Sequence, residues 1–429
     1  MSEEYCVDTL ENGIRLVTVP MPHLHSIELV CYMDVGGRCE PVELSGISHF
    51  LEHMIFRGTA EYSTSAELER AFEAIGGAVN ASTDTETTCF HSRIHPDYQQ
   101  AGVALFASML RRPKFADIDT ERRIILEEAR EDYNELGVQV NQDNLMVKLL
   151  WPGHPMGESL IGSPESLRAI GRSELEAYYQ SWYLPQNLVV CACGPVDRPR
   201  LLAAVQQEFG DWRPGVRLPV VPAPVQAKRG PHFCWVHDPD SQVSLQLACR
   251  LPGRRDERTL AVRLLRRLLA WGGGARLTLR LREELGLTYA IEANCAIMED
   301  AGYLAIDLSV APENLDRAVM ELLAVLGGLR HEPIPDDEMS RAISSYLFDL
   351  DFSRDQPESM AVRYGWGLQA DYLRTLAQDR EELQSLDSRS LQQVAKELIR
   401  ADSMHLVIVG PWTAEDRQRV EERLIQFER

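Results

Sequence analysis

His49-Phe50-Leu51-Glu52-His53 places two imidazoles one helical turn apart, with a carboxylate three residues after the first and adjacent to the second. On a helix, positions i and i+4 share a face, so His49 and His53 can grip one metal ion while Glu52 overhangs the same surface. Neutral imidazole is a preferred zinc ligand. Zinc with an open position lowers the pKa of water to about 7, and a neighbouring carboxylate then takes the proton. That is a hydrolase's arrangement. So short a pattern arises by chance in a chain of this length with a probability on the order of one per cent, so the rest of the site has to be sought elsewhere.

Catalytic zinc takes three protein ligands, and a carboxylate from another helix is the natural third. The helix expected over 119–136 carries Glu121, Glu127, Glu128, Glu131 and Asp132. Glu121 and Glu128 are two full turns apart on one face, with Ile124 and Ile125 between them on the side expected to pack inward. The remaining acids are expected to face water. Spacing thus favours Glu121 or Glu128 without choosing between them.

A chain of 429 residues suits two domains of ordinary size. Its 45% hydrophobic and 25% charged residues are those of a soluble globular protein, and no apolar run approaches the roughly 20 residues of a membrane span. With 44 basic against 65 acidic residues, the net charge of −21 repels nucleic acid and anionic lipid. The acidic start, Met1-Ser2-Glu3-Glu4-Tyr5, shows neither a secretory signal nor an Arg-rich transit peptide, so the expected location is the cytoplasm. Nine cysteines without a C-x-x-C pair, mostly in strand-like runs, read as buried thiols. Cys89, His91 and His95 lack a fourth partner and are expected to be structural.

The proline-rich stretch 213–230 has neither helical nor alternating periodicity and marks a linker between domains at 1–212 and 231–429. Both halves end on an apolar strand closed by Gly-Pro (Gly194-Pro195 and Gly410-Pro411) followed by a helical run, which suggests a duplicated domain. Strands are expected over 12–20, 27–35 and 79–94, with helices over 43–57, 96–112 and 119–136. A capping box at Thr64-Ser65-Ala66-Glu67 opens another helix that Gly76-Gly77 stops. The second half repeats the plan, with strands near 233–237, 241–251, 288–295 and 302–310 and helices over 257–269 and 276–285. Trp271-Gly-Gly-Gly274 lacks the G-K-[ST] ending of a phosphate loop and reads as a tight inter-helix turn. The clustering of strands and helices predicts an α+β fold: two homologous domains, each a mostly antiparallel sheet with helices on one face. No H-x-x-E-H recurs in the second half, so that domain is expected to be metal-free.

The run His49-Phe-Leu-Glu-His-Met-Ile-Phe-Arg-Gly-Thr59, followed by Glu121-Arg-Arg-Ile-Ile-Leu-Glu-Glu128, resembles the inverted-motif zinc peptidases that include pitrilysin, insulin-degrading enzyme and the mitochondrial processing peptidase. The resemblance covers nearly the whole chain, which is similar to a short two-domain bacterial-type member. It implies one Zn2+ per chain on His49, His53 and Glu128, with Glu121 supporting the site and Glu52 as general base. Gly76-Gly77-Ala78-Val79-Asn80-Ala81 is similar to the family's edge strand, so Asn80 and Ala81 would bind an extended peptide through the main chain. Leu281 to Tyr289 resembles the segment whose Arg and Tyr, here Arg282 and Tyr289, hold the substrate and its developing oxyanion. The family joins four such domains into a clamshell around a chamber for short or unfolded peptides. These two domains would be half of it, and a second chain is implied. A homodimer is preferred over a heterodimer with a metal-free homologue, because both sets of residues are present. The alternative function is a catalytically silent scaffold or peptide-binding subunit.

Overall fold

The computed structural model describes residues 4–225 and 230–427. Residues 226–229 of the expected linker lie outside the described residues, and 213–225 contain no regular structure. The chain forms two compact units that are not continuous in sequence. Residues 131–157 of the first half belong to the second unit, and 350–376 of the second half belong to the first.

The first unit is built on strands β1 (Cys6–Thr9), β2 (Arg15–Pro20), β3 (Ile27–Met33), β4 (Val79–Thr83), β5 (Thr88–Ile94) and β6 (Leu188–Gly194), in the order β1-β2-β6-β3-β5-β4. The second has β7 (His232–His237), β8 (Val243–Pro252), β9 (Ile291–Ile297), β10 (Ala301–Val310) and β11 (Met404–Gly410), in the order β7-β11-β8-β10-β9. Without β1 the two sheets superimpose in topology. Each has one parallel pair, β2 with β6 and β7 with β11, and is otherwise antiparallel. The terminal glycines of β6 and β11 adopt φ of +144° and +142°, a shared left-handed corner. The expected duplication and α+β class are therefore both present.

Helices α1 (Ile47–Ile55), α2 (Ser65–Glu73), α3 (Gln99–Arg111) and α4 (Ile118–Arg130) belong to the first unit. Their apolar stripes join alternate residues of the sheet, such as Leu29, Cys31 and Met33 of β3 with Phe50, Met54 and Phe106, in one core. The opposite face of this sheet is also covered. Gly365 of the returning segment lies so close that a Cβ there would meet Cys191 Cβ and a Tyr32 ring carbon at 2.6 Å. Burial on both faces accounts for the unbroken apolar run of β6. In the second unit α5 (Gln142–Leu150) packs on the face of the sheet opposite its main core, with Met146, Leu150 and Trp151 against Ala248, Ala305 and Val407.

Several local expectations need correction. The helix expected to reach Leu136 stops at Arg130, where the chain passes to the second unit. Ile124, expected to pack inward, is exposed, and only Ile125 is buried. Asp132, expected in water, is buried and accepts hydrogen bonds from Asn141 and Asn144. At the start of α2, Thr64 Oγ1 accepts from the Glu67 amide, but the Glu67 carboxylate accepts from Ser63 and not from Thr64.

The start of α1 is fixed by two devices. Gly46 caps it at φ +89°, and the buried Glu40 carboxylate accepts the amides of Gly46 at 2.7 Å and Ser48 at 2.8 Å. Burial pushes the Glu40 carboxyl up to about 7, against the pull of these amides, so its part in the cap is to satisfy unpaired first-turn donors. A Cβ at Gly46 would meet the Ile161 carbonyl oxygen at 2.3 Å. A left-handed non-glycine residue costs about 1–3 kcal/mol before any clash. Gly46→Ala is therefore expected to lower the midpoint of the first unit's unfolding transition in denaturant; an unchanged midpoint would contradict this account of the cap.

Candidate metal centre

Helix α1 buries Ile47, Phe50, Leu51, Met54 and Ile55 completely, and this orientation turns its other flank, with His49, Glu52 and His53, toward α4 and β4. The two Nε2 atoms stand 3.2 Å apart. Ligand atoms about 2.0–2.1 Å from a tetrahedral zinc are separated by about 3.3 Å, so the imidazole pair already has a chelating span. Glu128, on the facing side of α4, places Oε1 3.7 Å from His49 Nε2 and Oε2 3.9 Å from His53 Nε2. Among the described residues these three form the one group of histidine, cysteine or acidic side chains with ligand atoms close enough to hold a metal ion. Cys89, His91 and His95 form no second cluster, and all nine cysteines are free thiols.

Glu121 takes the supporting position. Its Oε1 lies 2.7 Å from His53 Nδ1, and Arg57 donates to its other oxygen. A carboxylate accepting Nδ1–H fixes the tautomer in which Nε2 is free to bind a metal, and fixes the ring's orientation as well. Burial alone would pull the His53 pKa down, but the hydrogen bond and charge of Glu121, with Glu52 and Glu128 behind it, shift it up overall. Burial would raise Glu121, yet His53 and Arg57 hold it below the usual carboxylate range. Burial, helped by the charge of His53, pulls His49 down to about 4 and keeps it in the neutral, ligating form. His49 Nδ1 is buried without a hydrogen-bond partner among the described residues, so His53 is the ring that the protein orients.

Glu52 is nearly buried and accepts a 2.6 Å hydrogen bond from the Thr83 hydroxyl at the end of β4. Desolvation raises its pKa, partly offset by Thr83 and His53, which moves a carboxylate toward the range useful to a base. Asn80 and Ala81 lie on β4, which pairs with β5 and forms one edge of the sheet. Arg282 and Tyr289 belong to the second unit, with the guanidinium 5.5 Å from the phenol ring and the ring largely exposed. The sequence reading missed Thr83, Arg57 and Glu40. Arg57 had a usable signal, four residues beyond His53 and inside the helix expected over 43–57, although α1 ends at Ile55. A threonine in a strand and an acid in a turn carry none.

In the second unit the helix that follows β8, Thr259–Ala270, stands where α1 follows β3 and bears Arg263, Arg266 and Arg267 and no histidine.

Comparison with known proteins places these features in a family. Residues 16–163 match the model described as insulinase (peptidase family M16), and residues 169–346 match the peptidase M16 inactive domain. An uncharacterized zinc protease of Mycobacterium tuberculosis is 28% identical over 410 residues, covering 93% of this chain and 90% of the relative. Among solved structures, a protease from Helicobacter pylori superimposes with a TM-score of 0.88 at 20% identity, covering 95% of this chain and 99% of the other. A peptidase M16 inactive domain from Pseudomonas fluorescens gives 0.85 at 20% identity, with coverage of 96% and 99%. At that identity the structures speak to fold alone. The two family models, matched in order along a chain whose two sheets repeat one topology, show that it belongs to peptidase family M16, the insulinase family.

Proposed function

We propose that the chain is a zinc-dependent endopeptidase that hydrolyses short or unfolded peptides. The observation that carries this reading is the convergence of His49, His53 and Glu128 with Glu121 bonded behind His53. Zinc bound there would supply a Lewis acid that polarises a carbonyl and acidifies water. The chain's own residues do the rest. Glu52, held by Thr83, accepts the proton of the attacking water and passes it to the leaving amine. The free edge of β4 at Asn80 and Ala81 aligns an extended peptide by main-chain hydrogen bonds. Arg282 and Tyr289 donate hydrogen bonds to the oxyanion.

In this reading Arg282 and Tyr289 act in trans, from a second copy of the chain that completes the chamber. The match of residues 169–346 to the peptidase M16 inactive domain leaves a second reading, a silent scaffold or peptide-binding subunit. Against it stands the intact base with its dedicated hydroxyl partner.

Three outcomes are expected. Purified protein retains one zinc per chain by mass spectrometry of the metal; Glu128→Gln loses it, and Glu121→Gln weakens affinity about 10- to 100-fold. Full retention by Glu128→Gln would remove Glu128 from the ligand set. Glu52→Gln keeps its zinc but cleaves an unstructured peptide at least about 100-fold more slowly. Turnover equal to the parent's would refute the base assignment, and zinc-loaded parent protein that captures peptide without products would favour the silent subunit. Light scattering after size exclusion should give the mass of a dimer; an active monomer would rule out action in trans.

A further inference from the structure

The second sheet carries a row of side chains that the proposed chemistry does not use. Asp307 of β10 is paired directly with Gln246 of β8 on one side and with Glu292 of β9 on the other. These three share the face on which α5 packs, and Asp143 in the first turn of α5 accepts a 2.8 Å hydrogen bond from Gln246 Nε2. Asp238 and Asp240 join them around a cavity of about 430 Å³ that no lysine or arginine lines.

The row is costly as it stands. Like charges directly opposed across antiparallel strands repel, and Asp307, Glu292 and Asp143 have no ion-pair partner among the described residues. Burial, reinforced by Asp143 and Glu292 and only partly offset by Gln246, pushes the Asp307 carboxyl up to about 6. A second, independent feature lies at the centre. Gln246 is 2% exposed, and its Oε1 has no hydrogen-bond partner among the described residues although it lines the cavity. A buried acceptor left unpaired costs about 1–3 kcal/mol unless a donor reaches it. Exchanging the amide's O and N would not help, because the nitrogen faces the Asp143 carboxylate, which only accepts.

A group that would satisfy both the carboxylates and this acceptor is a positively charged hydrogen-bond donor. A bare metal ion fits poorly, since these carboxylates do not bring three ligand atoms within 4.8 Å of one another. A polyatomic cation can span them, because ammonium and guanidinium groups present several donors at once. The geometry points to a binding site in the second unit for an organic cation, an arginine or lysine side chain or an amine of the same kind, held by Gln246, Asp307, Glu292 and Asp143.

The site can be tested by binding alone, so its failure and that of the peptidase reading are distinguishable. The full chain carrying Glu52→Gln, which prevents consumption of the probe, is titrated into a fluorescein-labelled, N-acetylated ten-residue Gly/Ser peptide with two arginines, and anisotropy is read at low salt. The expected result is binding at least about tenfold tighter than to the peptide with glutamines in their place, the scale of a charge-assisted pair. Asp307→Asn should abolish most of that preference. Glu292→Gln, at an exposed position on the edge strand where folding is not at stake, should reduce it. Preference surviving both variants would overturn the site and assign the attraction to the acidic surface at large. Displacement of the peptide by stoichiometric Ca2+ or Mg2+, lost in Asp307→Asn, would overturn it in favour of an inorganic ion. Spermidine tests the source: displacement at concentrations where the peptide itself binds supports the site with a free polyamine as its ligand, and no displacement supports it with a peptide side chain.

Discussion

The bond between Glu121 and His53 ties the candidate site to the fold. It joins the helix that carries the histidines to the helix that carries Glu128, and it decides which imidazole nitrogen points outward. Arg57 completes the chain of contacts by neutralising the buried carboxylate. A buried acid without such partners would be protonated or expelled. With them it braces α1 against α4 two turns from Glu128, a charge-assisted contact added to the apolar core that the two helices share.

Much of this was legible in the sequence, for physical reasons that differ from residue to residue. The i, i+4 histidines and the i, i+7 glutamates are helical periodicities, and a helix can satisfy them in one way only. Their choice of roles was not legible from spacing. Glu121 and Glu128 are distinguished by burial, one 4% exposed and the other at the rim, and that depends on the helix's tilt against its neighbours. Thr83 reaches Glu52 through a pairing of β4 with β5 that brings the strand's end to α1. No local pattern records such a contact. Ile124 shows the opposite failure: its place on an amphipathic helix predicts core, yet it is exposed, as isolated apolar side chains ordinarily can be.

The chain carries two copies of one sheet topology with different side chains on them. In the first, α1 carries the two histidines of the candidate centre; in the second, the helix that follows β8 carries arginines, and Arg267 bonds Ser345 and lies over the Trp271 and Tyr346 rings. The β order, the parallel pair and the glycine corner persisted because they close the backbone hydrogen bonds of the sheet. Side chains on the far faces were under no such constraint. There the first sheet has Tyr32, Cys191 and Cys193, and the second has a line of acids and amides.

The interleaving of the two units governs the order in which the molecule can be assembled during synthesis. The first sheet is laid down by Gly194, but the segment that seals its far side, with Gly365 against Tyr32 and Cys191, leaves the ribosome some 170 residues later. Until then an apolar sheet surface stays open to solvent, the kind of intermediate that invites aggregation and chaperone attention. The last-made third of the polypeptide thus completes the part made first, and a truncated product ending at the proline-rich stretch would be a different object from the finished first unit.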